Sequence, residues 1–166
     1  MTVSRNKHLK GYYDKTKALG LKVVNSDFTL EIEGFEGTYL LAKQCPWPVT
    51  TVAGEIEVPT PLGVNIFEPQ QIKPAKQGQV SLMETVDGPI DQLLVDLIAG
   101  GGTFNAKIYE GTPDKFLSYK RITDCFLQID DPDRDWENRS QILIMTGTMF
   151  YHYYGEIVQG NSKDYR

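Results

Sequence analysis

Only one stretch of the chain carries a helical period, and it sits inside a sequence otherwise patterned for strands. Ile90, Leu93, Leu94, Leu97 and Ile98 fall at i, i+3, i+4, i+7 and i+8, which is one face of a helix. Asp87 or Gly88 can cap its N-terminus. Pro89 suits the first helical position, where its missing N–H would be unpaired anyway, and Gly100, Gly101 and Gly102 stop the helix. A helix of about three turns with one apolar stripe must dock on something. The runs on either side, Gln79 to Val86 and Thr103 to Tyr109, are the obvious partners. They predict a strand, helix (88–100), strand unit laid against a β-sheet core.

Alternation dominates elsewhere. Phe28, Leu30 and Ile32 take one face of a run whose other face carries Asp27, Thr29, Glu31 and Glu33, as in a strand with one wet side. Gly34 and Gly37 bracket a turn, and Thr38 to Lys43 reads as the returning strand of a hairpin. Lys115 to Ile129 and Gln141 to Tyr154 are long enough to cross a whole sheet, joined by a polar loop from Asp130 to Arg139. In the last run Ile142, Ile144, Phe150 and Tyr154 share one parity, while Leu143, Met145, Met149, Tyr151 and Tyr153 share the other. Both faces of that strand look covered. With one good helix, the expected fold is mainly β, a two-layer sandwich or barrel-like domain with one flanking helix.

Six of the nine prolines lie between Cys45 and Pro74, punctuating short β-rich pieces. Proline cannot donate to a ladder, so these pieces suit edge strands or a protruding hairpin arm over 45–74. Such an arm exposes Trp47, Val52, Ile56, Val58, Leu62, Val64, Ile66 and Phe67 to a partner surface, unless it folds back over its own core.

The 166 residues fit a single domain. A formal net charge of -5 argues against a dedicated nucleic-acid binder, which would show a basic face. The charge is uneven: Arg5, Lys7, Lys10, Lys15, Lys17 and Lys22 face only Asp14. Residues 1–20 therefore form a basic N-terminal arm with no sustained period, able to dock on a neighbouring copy or to remain a solvated terminus. Residues 160–166 are polar and are expected to fray. No apolar h-region follows the first basic residues and no apolar run approaches a membrane span. Cys45 and Cys125, far apart and outside any C-x-x-C or Cys/His pattern, favour two reduced thiols of a cytosolic product over one disulfide.

Catalysis and cofactor binding have little to work with. Asp131, Asp133 and Asp135 imitate the start of an EF-hand loop, but Trp136 replaces the required Gly and Ile142 the bidentate Glu. The glycine triplet follows its helix instead of preceding it, so the negative end of the dipole faces any phosphate. His8 sits in the basic arm, His152 in an aromatic strand, and no nucleophile elbow or Cys/His pair appears. Neither a catalytic residue nor a metal or cofactor ligand is assigned.

A small, mostly β domain with one helix and a protruding arm points to an assembly subunit. The sequence resembles tail tube proteins of contractile-tailed bacteriophages over roughly residues 20–160. The resemblance rests on Val80 to Thr85 leading into the helix, Gly101 to Gly111, Cys125 to Asp130, the Asp133 to Asn138 loop, and the strand Thr146 to Tyr154. It implies the fold of the type VI secretion ring protein, with hexameric rings stacked into a hollow tube through which DNA passes without specific binding. The implied partners are further copies and the sheath, baseplate and tail-terminator proteins. The implied place is the virion tail, assembled in the host cytoplasm. Lys7, Lys10, Lys15, Lys17 and the arm residues become candidate subunit and ring contacts, and Asp27, Glu31 and Glu33 candidate lumen residues. Two alternatives remain open at this point. One is a baseplate tube-initiator ring; the other is a carbohydrate-binding β-sandwich using Trp47, Trp136 and the tyrosines as a stacking platform.

Overall fold

A computed structural model of the chain describes residues 5–163. Strands dominate: β1 (Thr29–Ile32), β2 (Ala42–Gln44), β3 (Glu55–Pro59), β4 (Asn65–Pro69), β5 (Ala75–Met83), β6 (Phe104–Gly111), β7 (Phe116–Ile129), β8 (Ile144–His152) and β9 (Ile157–Gln159). Helix α1 spans Asn6–Ala18, α2 spans Pro89–Ala99, and short 3-10 turns cover Glu36–Leu41 and Pro61–Gly63. Seven strands form one antiparallel sheet in the order β1-β6-β7-β8-β5-β2, with β9 on the remaining side of β7. β3 and β4 stand apart as a two-stranded sheet.

β7 turns this sheet into two layers. Its first part pairs with β6 from Phe116↔Gly111 to Cys125↔Phe104, and its second part with β8 from Thr123↔His152 to Ile129↔Gly147. The change of partner falls at Asp124, which has φ +47° and lies where the β8 register shifts between Thr123 and Phe126. Such a bulge bends the strand and increases its twist. One layer is therefore β1-β6-β7-β9 and the other β7-β8-β5-β2. Leu30, Ile32, Ala106, Ile108 and Ile122 from the first meet Val80, Leu82, Met145, Met149 and Tyr151 from the second in one core.

Helix α2 closes that core with Ile90, Leu93 and Leu97. Full burial of Ile90 and Leu93 contributes roughly 1.5–3 kcal/mol each. Leu94 is half-buried and Ile98 is exposed, so the buried stripe is narrower than the sequence period suggested. Gly88 occupies the N-cap position, as one of the two expected candidates, but gives no side-chain cap. Glu84 supplies it instead: its carboxylate accepts the Ile90 N–H at 3.2 Å and the Asp91 N–H at 2.9 Å. At the far end the Gly102 N–H reaches the Leu97 carbonyl at 2.7 Å, with Gly101 and Gly102 both at positive φ.

Several expectations are corrected. Thr38 to Lys43 does not return alongside β1. The Phe35 N–H closes onto the Ile32 carbonyl and Thr38 N–H onto the Phe35 carbonyl, forming the 3-10 turn while Phe35 and Leu41 pack on the core. β2 then joins β5 at the opposite edge of the sheet (Ala42↔Leu82), and β1 pairs with β6. The basic arm is helical over Asn6–Ala18, and it lacks a sequence period because none of its residues is buried. β8 is buried on one face only, that of Met145, Met149 and Tyr151, whereas Ile144, Phe150 and His152 on the other are half-buried. The start of the expected frayed tail is pinned: the Gly160 N–H donates to the Leu117 carbonyl at 2.7 Å, and Asn161 Nδ2 to the Asp114 carbonyl at 2.8 Å. Residues 1–4 of the basic arm and 164–166 of the tail lie outside the described residues.

Candidate assembly interface

Three surfaces carry the residues singled out in the sequence. The first is the hairpin arm. β3 and β4 pair from Glu55↔Pro69 to Pro59↔Asn65, and the Val52↔Ile72 bridge continues the same register toward the body. Val52, Ile56, Val58, Ile66 and Ile72 thus share one face, and Phe67 lies on the other beside Glu57. Phe67 is 70% exposed and Leu62, at the tip with φ +71°, is fully exposed; Val64 also lies in the open. The arm does not fold back over its own core.

The arm is shorter than 45–74. Cys45 packs against the core, Pro48 is buried, and Pro46 fits so closely on Gly78 that a Cβ there would stand 2.5 Å from the proline Cβ. Trp47 lies on the body, with the Lys120 ammonium 4.5 Å from its ring centroid and 5.6 Å from that of Tyr153. Lys120 also donates to the Pro48 carbonyl, and Lys76 to the Val49 carbonyl. Burial pulls the Lys120 pKa down, with Glu110 opposing that shift. Trp47 therefore belongs to the root of the arm, where it remains 42% exposed.

The second surface is the wet face of β1. Asp27 is exposed, and its carbonyl accepts the Gly111 N–H at 3.1 Å. Glu31 accepts the Tyr109 hydroxyl at 3.3 Å, and Glu33 pairs with Arg121 at 3.4 Å. Burial and then the neighbouring Glu31 push the Tyr109 phenol up to about 12. Glu31 and Glu33 are thus engaged locally. The third surface is α1, which holds Lys7, Lys10, Lys15 and Lys17 in solvent; Lys10 bridges to Asp14 at 3.2 Å, and Lys15 sits 5.2 Å from the Tyr12 ring centroid.

Sequence reasoning missed a fourth surface, the outer face of the β7-β8-β5-β2 layer. Directly paired positions place Gln77 beside Phe150, Gln79 beside Thr148, Ser81 beside Thr146, and Gln128 on the far side of Thr148. Phe126 stacks on Phe150 with centroids 4.7 Å apart. The paired positions Gln77, Gln79 and Ser81 of β5, Thr146, Thr148 and Phe150 of β8, and Phe126 and Gln128 of β7 include no Asp, Glu, Lys or Arg, while the edge strand β2 adds the exposed Lys43. Pairing of β7 with β6 ends at Cys125, so residues 126–129 present one unpaired edge, and β2 presents the other. The alternation of Gln, Ser and Thr with core residues was visible in the sequence, but its polar parity was not followed.

Burial pushes the Cys45 and Cys125 thiols up to about 12, and neither forms a disulfide. Among the described residues no three His, Cys, Asp or Glu side chains converge as metal ligands, and no helix is long and apolar enough to cross a membrane.

No protein-family model matches the chain, and no curated protein does. Solved structures do match. A chain of an extracellular contractile injection system, the PVC sheath–tube complex in its extended state, aligns with a TM-score of 0.57 and 13% identity, covering 87% of this chain and 95% of that one. The anti-feeding prophage cap, described as its tube terminating cap, aligns at 0.56 and 13% identity over 84% of this chain and 93% of that one. A chain of the anti-feeding prophage baseplate aligns at 0.54 and 12% identity, covering 84% and 97%. The fold is thus one found in contractile injection systems.

Proposed function

We propose that the chain is a structural subunit of a contractile tail or injection apparatus, whose copies join side by side into hexameric rings that stack into a tube. The observation that carries this reading is the amide- and hydroxyl-rich face of β5, β8 and the end of β7, bounded by two open strand edges. An edge left unpaired is a template for another chain, and two different edges meeting head to tail close a ring when the rotation allows. The β2 edge of one copy would then face the 126–129 edge of the next, and the amide and hydroxyl rows would line the passage. DNA could pass such a wall without being held, because phosphate binding depends on Lys and Arg. On this reading the lumen residues are Gln77, Gln79 and Gln128 in preference to Asp27, Glu31 and Glu33, two of whose carboxylates already have partners.

The exposed arm would reach the adjacent ring, with Ile56, Val58, Ile66 and Leu62 as its contacts. Sheath, baseplate and terminator proteins are the further partners, and the site of action is the virion tail after assembly in the host cytoplasm. The cap and baseplate neighbours favour a second reading, a single ring that starts or ends a tube. Negative-stain electron microscopy with sedimentation at rising concentration tests both. Stacked rings with a central hole support the tube subunit, and isolated rings the initiator or cap. A monomer at every concentration, with polysaccharide binding by that monomer, would move the carbohydrate-binding reading ahead of both.

A further inference from the structure

Among the described residues, helix α1 buries none of its side chains against the body, and Leu9, Tyr12 and Tyr13 all stand more than half exposed. An isolated helix of 13 residues is marginal in water even with a favourable sequence. This one carries Lys7, Lys10, Lys15 and Lys17 against Asp14 alone, with Arg5 at its N-cap, so repulsion between its bases weakens it further. Lys10, Tyr13 and Lys17 fall at i, i+3 and i+7 and present one basic, aromatic face.

Elsewhere on the same chain lies the complement. The loop over 130–139 holds five acids against two arginines, and Trp136 at its far side is 92% exposed. Beside it a cavity of about 430 Å³ is lined by Asp130, Asp131, Asp133 and Asp135 against Arg134 alone, with Ile142 and Ile144 among its apolar residues. A helix is too wide for this space, but lysine and tyrosine side chains fit it. The excess of negative charge and an aromatic on each side match the face of α1.

We infer that α1 of one copy docks on the 130–139 loop of a second copy, with Lys10 and Lys17 entering the acidic cavity and Tyr13 meeting Trp136. The occupant is a second copy because helix and loop are orphan surfaces of opposite charge carried by one sequence. The inference rests on the self-assembly proposed above but adds a contact that the open edges and the hairpin arm do not supply. It also gives the basic segment a role other than binding nucleic acid.

Two full-length variants test it, Lys10→Glu/Lys17→Glu on the helix and Asp131→Lys/Asp133→Lys on the loop. In sedimentation at about 50 mM salt, where screening is weak, each alone should weaken association at least about tenfold. Their equimolar mixture, or all four changes in one chain, should restore it. Tyr13→Cys on one copy and Trp136→Cys on another should give a disulfide-linked product of twice the chain mass. Single reversals that assemble like the parent, or a link formed only within one chain carrying both cysteines, overturn the inference while leaving ring formation intact. Loss of DNA binding by the helix variant with assembly unchanged also overturns it. A parent chain that never associates overturns both this and the ring reading.

Discussion

The Lys120 ammonium bridges two parts of the chain that sequence alone would separate, standing 4.5 Å from the Trp47 ring centroid while donating to the Pro48 carbonyl. Lys120 belongs to the central strand β7, and Trp47 to the segment from which the hairpin arm departs. The contact fixes where the arm leaves the body. Lys120→Met keeps the apolar stem but removes the cation and the donor. It should lower the melting temperature by about 2–6 °C, from about 1–2 kcal/mol of lost charge-assisted bonding. In a Trp136→Phe background, acrylamide quenching of Trp47 should rise. Unchanged quenching would mean that the segment is held without Lys120.

Glu84 reaches across the turn to accept two N–H groups of the first turn of α2. Glu84→Ala leaves both without that acceptor and removes a negative charge from the positive end of the helix. The expected cost is about 1–2 kcal/mol in urea unfolding, with Glu84→Gln recovering part of it. Equal stability of the alanine variant and the parent would exclude the capping role.

Gly147 faces inward between Met145 and Met149, where β8 approaches β7 so closely that a Cβ would lie 2.1 Å from the Gln128 carbonyl oxygen. That neighbour is backbone and cannot swing away. Gly147→Ala should therefore cost about 3 kcal/mol or more, read as a fall in the urea midpoint or loss of soluble protein. Gly37→Ala, with open space around its Cβ, is the matched control and should change little.

At Asp124 the backbone has φ +47°, a region that aspartate tolerates and β-branched residues do not. Asp124→Val should destabilise by about 1–2 kcal/mol, whereas Asp124→Gly should lie within about 0.5 kcal/mol of the parent. If valine is accepted without loss, the bend does not depend on this conformation.

The thiols of Cys45 and Cys125 are raised from 9.0 to about 12 by burial, so in the folded chain they stay protonated where unfolded thiols ionise. Between these values the unfolded state binds fewer protons, and stability falls as pH rises. Each thiol contributes up to about 1.4 kcal/mol per pH unit across that window. Urea midpoints should be flat from pH 7 to 8 and decline above pH 9. The Cys45→Ser/Cys125→Ala pair should flatten the decline even though it lowers the midpoint itself.

Long periodic elements were legible in the sequence. The Ile90, Leu93, Leu97 stripe became α2, and the runs before and after it became β5 and β6. Phe28 to Ile32 announced β1 through alternation, although Thr29 of its expected wet face is buried and donates to the Gly111 carbonyl. What stayed hidden depends on partners distant in the chain. Nothing local in Thr38 to Lys43 says that β2 will cross to β5, because Phe35 and Leu41 are apolar in either arrangement. Glu84 could not be seen as a cap, since it lies before the turn and acts by folding back. The helix α1 escaped because a period marks a buried face, and α1 has none. The proline-punctuated arm was visible through its missing donors, but its root at Trp47 was fixed by Lys120, more than seventy positions later.

One strand shared between two layers has a mechanical consequence. In a sandwich of separate sheets, load is passed across side-chain packing, and the sheets can slide. Here the covalent backbone of β7 runs from one layer into the other through Asp124. A pull on the β8 side is delivered directly to the β6 side, so the two layers must yield together. A domain built this way resists shear between its layers and behaves as a single rigid link under load.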